Sequence, residues 1–199
     1  MTRRVSRNVL WNVGGTLASI GVGLLAMPLL LHAMGAARLG VFTLALGLIG
    51  FSGLFDFGLG RALTQGVASA LGQGRPRTAV AALVWRVLKF LALFGGFWGL
   101  VLWVGAHDLV LHVFSLQGEL ATETAFGLRA IALSLPFTVV ATGTMGALEG
   151  LQCFREVSTR KAALSILQFG LPTAVALIHP NVGWVIAAMA LSRVLGLSI

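Results

Sequence analysis

Five polar residues stand in stretches of chain that are otherwise apolar: Asn12, Asp56, Arg61, Arg129 and Arg193. An ionised group deep in a bilayer costs several kcal/mol, so such residues are paired or face water. Arginine is the informative type here. Its planar fork bonds phosphate through two parallel hydrogen bonds, so an arginine facing a cavity suits an anionic ligand. Arg193 lies roughly a dozen residues into the last apolar segment, where snorkelling is least available. Two readings of it stay open: a cavity-facing cation, or half of a structural pair with Asp56 as a candidate partner. Arg61 follows Asp56 in Phe55-Asp56-Phe57-Gly58-Leu59-Gly60-Arg61 and can snorkel to the surface. On a continuous helix the two point to different faces, which argues against a direct pair.

The elements that must position these residues are apolar runs. They lie at about 8–31, 41–63, 79–106, 125–148, 162–178 and 182–199, each near the length a helix needs to cross a core of roughly 30 Å. The chain is 57% hydrophobic and 10% charged, with a mean hydropathy of +0.94. Soluble domains carry about 25% charge, which excludes that class. A membrane barrel would show short alternating segments, so the expected fold is an all-α integral membrane protein with about six spans. The net charge of +8 is carried beside the spans, where anionic headgroups are the natural counterpart. Basic patches interleaved with aromatics are missing, and nucleic acid is not an expected partner. The basic start, Arg3, Arg4 and Arg7, precedes a run long for a signal peptide, so an uncleaved first span is expected.

Basic residues near span ends predict sidedness. Eleven of them, from Arg3 to Lys161, fall on one side, against Arg38 and Arg129 on the other. The N-terminus is therefore expected in the cytoplasm. His32, His107, His112 and His179 then fall on the opposite side, scattered over three loops, and no metal or other cofactor is expected. Cys153 is the only cysteine and reads as an incidental thiol. Trp11, Trp103 and Trp184 lie near span ends, where amphipathic rings suit headgroups. The stretch 77–89 is expected to lie in the interface before turning inward, and 108–116 to form a small interfacial helix.

Polar and small residues form stripes at helical spacing. Asn8, Asn12, Thr16 and Ser19 share one face of the first span; Ser134, Thr138, Thr142 and Gly146 share one face of the fourth. The first stripe fits packing and a water-filled cavity equally well. The glycines, Gly47, Gly50 and Gly53 on the second span, Gly95, Gly96 and Gly99 on the third and the pair Gly146 and Gly150, are expected to let helices approach closely. Pro28, Pro136 and Pro172 sit inside spans and predict kinks. Signatures of a hydrolase elbow, a zinc protease or a Walker loop are missing, and no enzymatic activity is expected.

The opening of the chain resembles a known family. Asn8-Val9-Leu10-Trp11-Asn12 with Gly14-Gly15 begins the first span and Pro28-Leu29-Leu30-Leu31 closes it. Gly35 and Gly40 bracket a turn, and Asp56-Phe57-Gly58-Leu59 ends the second span. This order is similar to that of the polysaccharide biosynthesis proteins, the O-antigen and exopolysaccharide flippases of the multidrug/oligosaccharidyl-lipid/polysaccharide (MOP) exporter superfamily. Leu39 departs from the aromatic common before the glycine. The resemblance implies two lobes around a cavity exposed to each side in turn, in a bacterial inner membrane. It implies a polyprenyl-pyrophosphate-linked oligosaccharide as substrate, held by cavity cations. Arg61, Arg129 and Arg193 are the candidates, with Asp56 and Asn12 as polar neighbours. Membrane lipids and polysaccharide polymerase or glycosyltransferase machinery are the implied partners. The 199 residues read as a single N-terminal lobe, a fragment of such a transporter. A multidrug antiporter of the same superfamily and a non-transporting membrane scaffold are the rivals. The antiporter should place buried acids in its lobe.

Overall fold

The computed structural model describes residues 2–50 and 58–198, with side chains described for 20–50 and 58–197. All regular structure among the described residues is helical. Among the described residues six α-helical segments follow one another: α1 (Thr2–Gly50), α2 (Leu59–Gly72), α3 (Arg77–Asp108), α4 (Gly118–Gly150), α5 (Phe154–Ile178) and α6 (Val182–Ser198). Four described segments are long and apolar enough to cross a membrane: Ile20–Gly50, Arg77–Val113, Gly118–Gly150 and Phe154–Ile178. The apolar part of α6 is shorter. Large side chains such as Leu25, Leu93, Val104 and Ile178 are each more than 70% exposed, a surface suited to lipid and not to water. The fold class is the expected one, an all-α integral membrane protein.

The break expected between the first two spans is present: α1 is two helices that meet in a kink at Gly35 (φ 79°, ψ 170°), a conformation that glycine alone adopts without strain. Two boundaries differ from the expected ones. The end of the expected second span falls partly on 51–57, outside the described residues. Helix α2 then continues well past residue 63, because Gly60, Leu63, Val67 and Ala70 form a buried stripe at helical spacing. The second difference is α3, a single uninterrupted helix in place of an interfacial segment that turns inward. At 1.5 Å per residue its length is about 48 Å, so it can project beyond the hydrocarbon core without bending. The stretch expected as an interfacial helix is a π-type turn, Leu109–Val113, that extends α3 and buries Val110.

Helix α4 is the centre of the bundle. Half of its most apolar stretch is buried, against 17% for α3 and 11% for α5. It packs against α2, α3 and α6, while α1 lies on α5 and α5 on α6. The expected glycine packing is observed at Gly95, Gly99, Gly146 and Gly150, whereas a Cβ on Gly47, Gly50 or Gly96 would meet nothing within 4 Å, and Gly53 lies outside the described residues. A Cβ on Gly95 would lie 2.8 Å from the Pro136 Cα, and one on Gly99 would lie 2.6 Å from the Ala132 carbonyl oxygen. Ala132 is the residue whose helical hydrogen bond Pro136 removes. Gly99 therefore turns a Cα–H toward the freed oxygen and lets α3 close over the proline, a weak compensating contact. At the other end of α4, a Cβ on Gly150 would lie 2.8 Å from the Thr64 carbonyl oxygen, and Gly146 meets the Gly60 carbonyl just as closely.

Candidate functional site

The close approach of Gly60 to Gly146 sets the base of α2 against the C-terminal part of α4. Gly58, in the left-handed region (φ 75°), caps α2 and starts it in this position. Thr64 holds the register: its hydroxyl lies 3.1 Å from the Gly60 carbonyl oxygen and 3.0 Å from that of Gly146. On the far side, Gly196 of α6 packs onto the Leu164 side chain of α5. Between these two contacts α2, α4, α5 and α6 enclose a cavity of 630 Å³.

Among the described residues three cations line this cavity: Arg61 from α2, Lys161 from α5 and Arg193 from α6. Glu149 of α4 is the single carboxylate among the described lining residues. Its Oε1 lies 3.2 Å from Lys161 Nζ, and the two side chains are 37% and 43% exposed. A partly hydrated pair with one contact contributes at most about 1 kcal/mol. Arg61 is exposed, whereas the Nε of Arg193 is buried and has no hydrogen-bond partner among the described residues.

The threonines of the lining are not free donors. The Thr138 hydroxyl donates to the Ser134 carbonyl at 3.0 Å and Thr142 to the Thr138 carbonyl at 3.1 Å. Ser134 itself donates to Ile131. The polar stripe of α4 thus satisfies itself along its own backbone, as hydroxyls do in a medium without water. Donors for an anionic ligand come from the three cations.

The structure brings Arg61 and Arg193 together and leaves Arg129 apart. Arg129 is exposed on the N-terminal half of α4, with its guanidinium carbon 6.0 Å from the Trp103 ring centroid, a cation–π geometry. Asp56 and the side chain of Asn12 lie outside the described residues, as does any pairing of Asp56 with Arg193. Sequence reasoning missed Lys161 and Glu149 as cavity residues. They are twelve positions apart across a turn, and the only hint was the basic cluster Arg155, Arg160 and Lys161.

A second charged constellation, also unforeseen, lies at the opposite end of α4. Glu123 accepts from Arg38 Nη2 at 2.9 Å and from Nε at 3.1 Å, a bidentate pair. Its Oε2 also accepts the backbone N–H of Val182 at 3.1 Å. The carboxylate side chain is only 4% exposed. It ties α1 to α4 and places a negative charge at the N-terminus of α6, where the helix dipole favours it. Among the described residues no three His, Cys, Asp or Glu side chains gather as a metal site would require.

Known proteins place the chain. A Shigella flexneri protein named "Putative O-antigen transporter" is 22% identical over 193 residues, covering 97% of this chain and 45% of the relative. The chain thus spans about half the length of that curated relative. It has no significant match among solved structures. The family model MatE matches residues 15–178, well over half of the sequence, and the chain belongs to the MatE family.

Proposed function

We propose that this chain forms one lobe of a membrane transporter that flips a polyprenyl-pyrophosphate-linked oligosaccharide across a bacterial inner membrane during O-antigen or exopolysaccharide synthesis. The observation that carries the reading is the cavity in which Arg61, Lys161 and Arg193 outnumber Glu149. Arginine forks suit the phosphates through two parallel hydrogen bonds. The relative named for O-antigen transport supports the same substrate class. The bias of basic residues puts the N-terminus and the cavity end of α4 on the cytoplasmic side. Movement would follow alternating access, with this lobe rocking against another. Arg129, on its tryptophan, has no part in holding phosphate in this reading.

The test is export of polysaccharide by the full-length protein. Arg193→Ala abolishes export while leaving membrane insertion intact, and Arg193→Lys restores only part of it because the bidentate geometry is lost. Normal export by Arg193→Ala would sink the phosphate role. A cysteine placed at Thr142 or Arg193 reacts with water-soluble reagents if the cavity is wet. Protection of both positions favours the membrane scaffold. Membership of the MatE family fits a multidrug antiporter equally well. The cationic lining supports the anionic substrate, since an organic cation would be repelled by it. Efflux of cationic dyes with no effect on polysaccharide would establish that rival.

A further inference from the structure

A transporter must bind its cargo well enough to load it and weakly enough to let it go. Among the described lining residues of the proposed cavity three cations face one carboxylate. Two arginines already match the charge of a pyrophosphate, and a third cation unopposed would slow release. Glu149 is placed to prevent that. It reaches Lys161 through one contact of 3.2 Å, with both side chains over a third exposed. The pair is held in place by its backbone. The turn after α4 is closed by hydrogen bonds from Gln152 N–H to the Glu149 carbonyl and from Cys153 N–H to the Leu148 carbonyl, both 3.0 Å. This is the geometry of a Schellman end, here with Gln152 at φ 60°. The turn keeps the start of α5, and Lys161 with it, beside the last turn of α4.

We propose that Glu149 is the release residue of this cavity: it holds Lys161 when no anion is bound and competes with a bound pyrophosphate for the same ammonium group. The proposal rests on the substrate reading above. The ion pair is weak enough to be exchanged for a contact to phosphate and strong enough to draw the lysine back. Glu149 is a positioning residue acting through Lys161; it touches no ligand itself. Its removal therefore has a signature that a structural role does not predict, tighter binding with slower turnover.

The experiment uses the purified full-length protein in detergent, with farnesyl pyrophosphate, farnesyl monophosphate and phosphatidylglycerol vesicles as probes, and polysaccharide export in cells as the second readout. Glu149→Gln binds farnesyl pyrophosphate about five-fold tighter than wild type, the equivalent of one weak ion pair, and exports more slowly. Lys161→Ala binds more weakly, and adding Glu149→Gln to it changes nothing further. The gain is smaller for the monophosphate, which carries one negative charge fewer than farnesyl pyrophosphate. Unchanged or weaker pyrophosphate binding by Glu149→Gln overturns the proposal, as does an equal gain in the Lys161→Ala background. Equal tightening toward phosphatidylglycerol assigns the exchange to lipid headgroups and overturns the release role as well. If wild type binds and Arg193→Ala weakens it, a neutral Glu149→Gln refutes Glu149 alone. If wild type does not bind farnesyl pyrophosphate and Arg193→Ala exports normally, the substrate reading falls and takes this proposal with it.

Discussion

Helix α4 carries a glutamate near each end, and the two are treated in opposite ways. Glu123 is closed in: its oxygens take two bonds from Arg38 and one from the start of α6, and water is excluded. Glu149 is left open, with one contact to Lys161 at the rim of a cavity. The same side chain on the same helix is a fastener at one end and an exchangeable partner at the other. Burial makes the difference. A satisfied, dehydrated carboxylate cannot lose a partner cheaply, whereas a hydrated one can.

The contrast breaks most readily at Glu123. Glu123→Ala leaves the Val182 N–H without its acceptor and takes two bonds from Arg38, which is 33% exposed and can rehydrate, so a loss of about 1–3 kcal/mol is expected. Thermal unfolding of the purified protein in detergent measures it, and a change too small to detect would show that Glu123 fastens nothing. Next in size is Gly146→Val. It forces a side chain into the Gly60 carbonyl and pushes α2 off α4, at a cost of about 1–3 kcal/mol. Because Arg61 rides on α2, export should fall with stability, and retained export in a destabilised variant would separate the cavity from that contact. Arg129→Ala loses only an exposed cation–π contact, about 0.5–1 kcal/mol, and leaves export intact. Loss of export there would return Arg129 to the substrate path. Smallest of all, Glu149→Gln shifts the unfolding temperature by no more than a weak surface pair allows, under about 1 kcal/mol. A drop as large as that of Glu123→Ala would erase the distinction between the two ends.

Much of the packing was legible before any helix was placed. The glycines read as close-approach positions because small residues are what packed membrane helices need; Gly95, Gly99, Gly146 and Gly150 do sit against a neighbouring backbone or side chain, while Gly47, Gly50 and Gly96 face open space. The polar stripe of α4 was legible as a stripe, but not that its hydroxyls are spent on their own helix. The three candidate arginines looked alike in sequence. Only the fold sorts them, two into one cavity and one onto a tryptophan. Arg38 and Glu123 are 85 positions apart, and local spacing carries no information about such a partner.

Composition and the length of the apolar runs were enough to establish a helical membrane protein, since lipid offers backbone groups no other partners and each span must satisfy its own. That requirement acts within single segments, so it is written locally. Which faces adjoin was decided by tertiary packing. The helices settle where glycines permit contact and where the few charges can be paired or hydrated. The cavity of Arg61, Lys161 and Arg193 exists only once α2, α4, α5 and α6 have come together around it.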